Sequence, residues 1–115
     1  MTPENKQEFI RQKANEHIVG EDEKILWSLH AVRKLRVEGL RKAKVENSLK
    51  KCIIFEDYHK TDGRLLPDCL VLEFVNNEPV HAVIAIDIDF DRIFIVTVYR
   101  PAAERWESDW KKRKN

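Results

Sequence analysis

The stretch that decides the fold of this 115-residue sequence is Val80-His81-Ala82-Val83-Ile84-Ala85-Ile86-Asp87-Ile88. Side chains alternate between the two faces of a β-strand. One row of this stretch is wholly apolar and consists of Ala82, Ile84, Ile86 and Ile88. The other row contains His81 and Asp87. We therefore predict a strand over residues 80–88 that packs its apolar row under helices and presents His81 on the opposite face.

Short turns on both sides of this strand predict an antiparallel sheet. Asn76-Asn77-Glu78-Pro79 precedes the strand, and Asp89-Phe90-Asp91-Arg92 follows it. Further strands are predicted over residues 52–55, 68–74 and 93–99, with an Asp62-Gly63 turn between the first two. Parallel neighbours would need crossovers of about a dozen residues. The four strands should therefore form a small antiparallel meander.

The sequence before the predicted sheet indicates helices. Thr2-Pro3-Glu4 is a helix start, because Thr can cap a helix and Pro suits its first turn. A second helix follows from one apolar face made of Ile25, Leu26, Leu29, Val32 and Leu35. Gly39 should end this helix, and residues 40–51 predict a third.

A helix is also predicted after the sheet, over residues 102–114, with Trp106 and Trp110 four residues apart on one side. Helices first and strands after place the chain in the α+β class. The expected architecture is a set of N-terminal helices packed on a small antiparallel four-stranded sheet, with a C-terminal helix. We divide the chain into an N-terminal helical extension, residues 1–24, and an α+β domain, residues 25–115.

The charge of the chain is unevenly distributed, although the net charge is only +1. Residues 25–52 carry eight Lys and Arg against two acids, and residues 100–115 carry six against three. Residues 53–99 carry nine acids against three bases. Basic central helices suit the binding of a polyanion. Helices that Lys and Arg merely keep in solution are an equally good interpretation.

Several classes of protein and site are disfavoured by the sequence. It has no hydrophobic signal segment and no apolar run of about 18–20 residues, so we expect a cytoplasmic protein without a membrane partner. Cys52 and Cys69 favour two buried reduced thiols, although a pair between neighbouring strands stays open. Neither a glycine-rich phosphate loop nor a Cys/His metal cluster is present, so no cofactor and no metal are expected. General acid–base chemistry, or binding without chemistry, remains.

Two strands carry the first set of candidate catalytic residues. His81 can donate or accept a proton near neutral pH. The last strand predicts one row made of Ile93, Ile95, Thr97 and Tyr99. One hairpin register places Tyr99 beside His81, and a slip of one residue places Arg100 there instead. Tyr99 could position a phosphate or stack on a base, and Arg100 could stabilise phosphate charge.

The second helix carries the other set of candidates. His30 and Arg33 are three residues apart and share a helix face. Further cations nearby are candidates for holding a nucleic-acid backbone: Lys34, Arg36, Arg41, Lys42 and Lys44. A histidine that only borders the apolar stripe is an equally good interpretation of His30.

An ordered set of short motifs resembles a known bacterial family. The most specific are Trp27-Ser28-Leu29-His30-Ala31, Pro79-Val80-His81-Ala82-Val83 and Thr97-Val98-Tyr99-Arg100-Pro101. Between and after them lie Glu56-Asp57-Tyr58, Pro67-Asp68-Cys69-Leu70-Val71-Leu72 and Arg105-Trp106. This set is similar to the family catalogued as "domain of unknown function 4258" and covers residues 25–113. That family is in turn similar in fold to the RelE/ParE toxin superfamily, in which helices pack on a small antiparallel sheet.

The resemblance implies a toxin of a bacterial toxin–antitoxin pair that acts as an mRNA endoribonuclease. In such enzymes the ribose 2′-hydroxyl attacks the adjacent phosphate, so no metal is needed. Carried onto this sequence, His81 and His30 would do acid–base work, Arg33 and Arg100 would hold phosphate, and Tyr99 would position or stack. The implied partners are RNA, including mRNA on the ribosome, and a small antitoxin protein.

Two alternatives to this interpretation remain open. A non-catalytic module that binds nucleic acid or protein could use the same fold, because fold does not determine function. The N-terminal helix lies outside the matched pattern and is available for a homodimer or a partner contact.

Overall fold

The computed structural model describes residues 1–58 and 66–115 and shows an α+β protein. The predicted Asp62-Gly63 turn lies outside the described residues. Its helices are α1 (Pro3–Glu16), α2 (Leu29–Glu38) and α3 (Lys42–Ser48), and a single 3₁₀ turn, Leu49–Lys51, follows α3. Its strands are β1 (Ile25–Trp27), β2 (Ile53–Tyr58), β3 (Asp68–Val75), β4 (Glu78–Asp87) and β5 (Arg92–Tyr99).

The sheet is mixed and has five strands in the order β1-β5-β4-β3-β2. Strands β2 to β5 pair antiparallel, whereas β1 pairs parallel with β5. The prediction of a four-stranded, wholly antiparallel sheet is therefore wrong. It failed because residues 25–27 continue the apolar spacing of α2 and were assigned to that helix. Ser28 caps α2 by accepting a hydrogen bond from the Ala31 amide, so the residues before Ser28 are extended and pair with β5.

The predicted C-terminal helix is also absent, and the segment after Pro101 forms turns. The Asp109 carboxylate accepts hydrogen bonds from the amides of Lys111 and Lys112, which stabilises a turn. Trp110 has a left-handed backbone with φ of 62°, which a helix does not tolerate. An isolated bridge between Trp106 and Arg113 closes the segment on itself. The spacing of the two tryptophans therefore did not indicate a helix.

A β-bulge in β5 determines which side chains face the helices. Val83 pairs with Thr97 and Ile84 pairs with Ile95, so Val96 is an extra residue without a partner in β4. Because of the bulge, Ile95 joins the core face while Thr97 lies on the opposite face. The predicted single row of Ile93, Ile95, Thr97 and Tyr99 is wrong for this reason. The apolar row of β4 is buried as predicted at Ala82, Ile84 and Ile86.

One hydrophobic core lies between the helices and the sheet, and α1 contributes to it through Ile10 and Ala14. Thr2 caps α1, as predicted, by accepting a hydrogen bond from the Asn5 amide. Gly39 ends α2 in a left-handed conformation with φ of 66°, which glycine adopts without strain. In the part of the chain that the structure describes, no helix is both long and apolar enough to span a bilayer.

Candidate functional site: a cation-lined cleft at the end of the last strand

The cleft of interest lies where α2, the end of β5 and the C-terminal segment meet, and its volume is about 630 Å³. It is lined by Lys34, Glu38, Tyr99, Arg100, Ala102, Glu104, Arg105, Trp106 and Arg113. Four of these side chains are cationic and two are anionic. Tyr99 and Trp106 add aromatic surface. Proteins that bind single-stranded nucleic acid use cationic side chains to hold its phosphates and aromatic rings to stack on its bases.

His81 lies directly beneath the wall of this cleft. The register pairs His81 with Tyr99 across β4 and β5, which settles the choice that the sequence left open between Tyr99 and Arg100. His81 is fully buried. Its Nδ1 is 3.2 Å from the Tyr99 hydroxyl, and its Nε2 is 2.6 Å from the backbone carbonyl oxygen of Trp110. Any influence of His81 on a ligand would therefore pass through Tyr99.

The hydrogen-bond partners of His81 show which atoms of His81 and Tyr99 carry a hydrogen. A carbonyl oxygen can only accept, so His81 Nε2 carries a hydrogen and donates it to Trp110. Burial lowers the pKa of His81, partly offset by the hydrogen bond to Trp110, so the ring is neutral at pH 7 and Nδ1 is an acceptor. Burial raises the pKa of Tyr99, which therefore keeps its proton. The Tyr99 hydroxyl donates to His81.

Aromatic rings surround His81 on the sheet face opposite the helices. Its ring centroid lies 4.5 Å from that of Trp106, 4.7 Å from that of Phe55 and 5.2 Å from that of Tyr99. Trp106 packs edge-on against both Phe55 and His81. These rings exclude water from His81 and hold its plane.

A salt bridge attaches the C-terminal segment to the sheet beside this cluster. Arg113 donates to both carboxylate oxygens of Glu56, at 3.1 and 3.0 Å, and its guanidinium lies 4.7 Å from the Trp106 ring centroid. Burial alone would raise the pKa of Glu56, but hydrogen bonds from Arg113 and Tyr58 outweigh burial and lower it. Glu56 is therefore a carboxylate that fixes Arg113 at the rim of the cleft.

Arg100 lines the cleft, but its guanidinium is committed to contacts within the molecule. Its Nε donates to the Glu38 carbonyl at 2.9 Å, and one terminal nitrogen lies 2.9 Å from a Glu78 carboxylate oxygen. The other terminal nitrogen lies 3.4 Å from the Gly39 carbonyl. The structure thus places Arg100 as a clamp between the end of α2 and the sheet. A ligand phosphate would have to compete with these partners.

His30 and Arg33 lie on α2 and do not line the cleft. His30 is exposed, and its Nε2 is 3.0 Å from the Thr97 hydroxyl. Thr97 and Tyr99 lie on the same face of β5, two residues apart. The residue that contacts His30 and the residue that contacts His81 are therefore neighbours on that face. Arg33 is exposed on the outer side of α2.

The predicted nucleic-acid-binding cations divide into two groups. Lys34 lines the cleft and lies 3.5 Å from Glu38. The others, Arg36, Arg41, Lys42 and Lys44, are exposed on α2 and around the start of α3. Within residues 1–58 and 66–115, none of these four forms an ion pair with a carboxylate. They form a basic outer surface, which we define as these four residues together with Arg33.

The sequence did not identify four side chains at the site as functional: Glu56, Arg105, Trp106 and Arg113. Arg105, Trp106 and Arg113 lie in the segment that was predicted as a helix, so the contacts of Trp106 and Arg113 with β2 could not be inferred. The turn at Asp109 and Trp110 was the available signal, because Asp favours turns over helix interiors.

The two thiols take no part in the cleft. Cys52 and Cys69 are free and buried, which confirms reduced thiols. Burial is the main cause that raises the pKa of each to about 12, so neither is a thiolate at neutral pH. Over the described ranges, no three His, Cys, Asp or Glu side chains are grouped so as to hold a metal ion.

A protein-family model described as "Domain of unknown function (DUF4258)" matches residues 27–100. The chain belongs to this family. The match begins in β1 and ends at Arg100, so it contains α2, His81 and Tyr99 of the DUF4258 domain but not the C-terminal segment that covers His81. No curated protein and no solved structure matches the chain.

Proposed function

We propose that this DUF4258 protein is the toxin of a bacterial toxin–antitoxin pair and acts as an mRNA endoribonuclease of the RelE/ParE kind. The observation that carries the proposal is the cleft in which a tyrosine, backed by a buried histidine, stands among cationic side chains. Helices packed on one face of a small sheet agree with that superfamily. The proposed compartment is the cytoplasm, where mRNA and ribosomes are.

The cleft offers the groups that RNA cleavage by an internal hydroxyl requires. The 2′-hydroxyl must lose a proton, the phosphate must be held while charge develops on it, and the leaving 5′-oxygen must gain a proton. Tyr99, with His81 behind it, is placed to take the first proton. Lys34, Arg105 and Arg113, which line the cleft, would hold the phosphate. His30, next along β5 at Thr97, is our candidate for the acid.

This route uses the substrate's own hydroxyl as nucleophile, so the proposal expects cleavage without a bound metal. The basic outer surface would hold the flanking RNA backbone, including mRNA on the ribosome. A small antitoxin protein would neutralise the toxin by binding it. A homodimer through α1 stays a further proposal.

Cleavage of a fluorescent RNA oligonucleotide in EDTA tests the proposed chemistry. We expect wild-type protein to produce fragments ending in a 2′,3′-cyclic phosphate, and a single 2′-deoxy substitution to block cleavage at its position. Tyr99→Phe should slow cleavage by about 10²-fold or more, as loss of a general acid–base group does. Ser48→Ala is the control, because it removes a hydroxyl on α3 that donates to the Val45 carbonyl and does not line the cleft, and it should leave the rate near that of wild type.

Expression of the same variants in a bacterial host tests the biological role. Wild type should arrest growth and degrade bulk mRNA, and Tyr99→Phe and His30→Ala should relieve both effects. Cleavage that persists in both variants would remove these residues from the mechanism.

A non-catalytic binding module is the second candidate, and the full burial of His81 together with the unpaired cations of the basic outer surface favours it. Binding of RNA without cleavage, combined with normal growth on expression of folded protein, would support this module and contradict the enzyme.

A further inference from the structure

The direction of the hydrogen bonds through His81 restricts what the cleft can recognise, if the cleft is the site of the proposed function. Tyr99 has one hydroxyl hydrogen, and it is donated inward to His81 Nδ1. In the described part of the chain, no residue donates a hydrogen bond to the Tyr99 oxygen. The lone pairs of that oxygen are therefore free to accept from a ligand, whereas the hydroxyl has no hydrogen left to donate.

We propose that His81 is a positioning residue that makes Tyr99 an acceptor for a ligand hydroxyl, so that the cleft selects a sugar hydroxyl next to a phosphate. The C-terminal segment, residues 102–113, is the element that keeps His81 in this role. The ligand class is a ribonucleotide phosphate, because Lys34, Arg105 and Arg113 supply cations around the acceptor. A deoxyribonucleotide lacks the required donor.

The C-terminal segment determines the tautomer of His81. The Trp110 carbonyl holds the hydrogen on Nε2, and this leaves Nδ1 without one. The left-handed backbone of Trp110 directs this carbonyl at the sheet, and Trp106 and Arg113 anchor the turn on either side. Without the segment, His81 would be free to carry its hydrogen on Nδ1 and donate it to Tyr99. The Tyr99 hydroxyl would then have a hydrogen available for the cleft, and the selectivity would be lost.

The same arrangement balances the proton transfers of the proposed cleavage. The ligand hydroxyl gives its proton to the Tyr99 oxygen, while Tyr99 gives its own proton to His81 Nδ1. The resulting sugar oxygen forms a bond to phosphorus, and the bond from phosphorus to the 5′-oxygen breaks. The 5′-oxygen takes a proton from the acid, for which His30 is the candidate. The Trp110 carbonyl and the Glu56 carboxylate stabilise the imidazolium that forms on His81.

Nitrogen-15 NMR of the histidine rings tests the hydrogen-bond direction on the wild-type protein. We expect His81, assigned by comparison with His81→Gln, to be neutral at pH 7 with its hydrogen on Nε2. Lys114→Gln is the control, because it removes an exposed cation next to Arg113 and should keep this tautomer. Arg113→Gln removes the attachment to Glu56 and should produce a mixture of tautomers. A hydrogen on Nδ1 in the wild type would overturn the proposal.

Binding of mononucleotides tests the selectivity without any cleavage. The probes are the four ribonucleoside 3′-monophosphates and their 2′-deoxy counterparts, measured by calorimetry. We expect the best ribonucleotide to bind about 3- to 10-fold more tightly than its deoxy form, the ratio that one neutral hydrogen bond provides. Tyr99→Phe should bring this ratio to one, and Ser48→Ala, which removes a hydroxyl on α3 outside the cleft, should leave it unchanged.

The outcomes separate this inference from the proposed function. Hydroxyl selectivity with the Nε2 tautomer, but no RNA cleavage, would uphold the inference and contradict the ribonuclease. RNA cleavage with equal affinity for ribose and deoxyribose probes would uphold the ribonuclease and overturn the inference. Where His81→Gln does not fold, the Tyr99→Phe titration with the mononucleotide probes still decides.

Discussion

Glu73 on β3 is a buried acidic residue that lies outside the cleft. It faces the helices and is only 1% exposed, and neither carboxyl oxygen has a hydrogen-bond partner among the described residues. Ser48 is close to it, but the Ser48 hydroxyl donates to the Val45 carbonyl. Burial therefore raises the pKa of Glu73 well above its ordinary value, and Ser48 lowers it by less. The group is a neutral acid in the folded protein.

Glu73 should make the folded protein less stable as pH rises. Above the ordinary pKa of glutamate the unfolded chain has lost this proton while the folded chain keeps it, so unfolding releases a proton. The free energy of unfolding then falls by up to about 1.4 kcal/mol per pH unit until the folded-state pKa is reached. Urea denaturation from pH 5 to 8 should show this slope in wild type and a flatter one in Glu73→Gln. The exposed Glu107→Gln should keep the wild-type slope, and equal slopes in all three proteins would contradict this account.

The candidate site could be predicted only in part from individual residues. The sequence identified His81 and Tyr99 as chemically useful, and strand alternation placed His81 on the face away from the helices. It left Arg100 as an equal alternative to Tyr99, because register depends on pairing across strands and not on one strand's pattern. The clamp role of Arg100 depends on the Glu38 and Gly39 carbonyls, which no residue pattern reveals.

Among the secondary-structure elements, β5 has a bulge at Val96 that places Tyr99 on the same face as His81. If the strand continued regularly through Val96 without a bulge, an unbroken alternation from Ile93 would put Tyr99 on the core face. The sequence shows no glycine or other marker at this position, so the alternation was extended through it. Elements with local signals, such as the Thr2 cap of α1 and the Gly39 end of α2, were predicted correctly. The short strand β1 was not, because its pairing with β5 is a long-range contact.

Deletion of Val96 should be tolerated, since it removes the bulge and leaves a regular strand with every other side chain on its present face. The expected cost is about 0.5–1.5 kcal/mol, for the hydrogen bond from the Ser28 hydroxyl to the Val96 carbonyl at 2.8 Å. Thermal unfolding measures the cost, and the NMR signal of His81 reports whether the contact with Tyr99 persists. Deletion of Ala85 is the control: β4 has no bulge there, so all later residues change face and the fold should be lost. Equal damage from both deletions would show that the bulge is required.

Acidic and basic side chains of the molecule are concentrated at opposite ends of β5. Because β1 and β5 run parallel, the residues before each strand lie at the same end of the sheet, and the exposed acids Glu21, Asp22, Glu23 and Asp89 are there. Helix α2 starts beside Val96 and ends at Arg100, so its exposed cations Arg33 and Arg36 lie toward the other end. The uneven charge seen in the sequence is therefore an asymmetry in space. A polyanion would be attracted to the cleft end and repelled from the other.

Salt should weaken RNA binding strongly, and the effect should depend on the basic outer surface. For single strands, the logarithm of affinity falls with the logarithm of salt concentration by about 0.7 for each neutralised phosphate. The double variant Arg33→Gln/Arg36→Gln should reduce this slope by about 1.4. Lys51→Gln is the matched control, because Lys51 is exposed beside β2, at the opposite edge of the sheet. Fluorescence anisotropy between 50 and 300 mM salt measures both, and an unchanged slope in the double variant would remove this surface from RNA binding.

The parallel pairing of β1 with β5 also bears on the order in which the chain assembles. Ser28 and Val96, which join α2 to β5, are 68 residues apart in sequence. Closing a loop of that length costs about 2.5 kcal/mol more chain entropy than closing a hairpin of about four residues. The β4–β5 hairpin is local and can form early, whereas the docking of α2 must wait for it. We therefore expect His81 and Tyr99 to meet before Lys34 arrives, and the cleft to be among the last parts of the molecule to form.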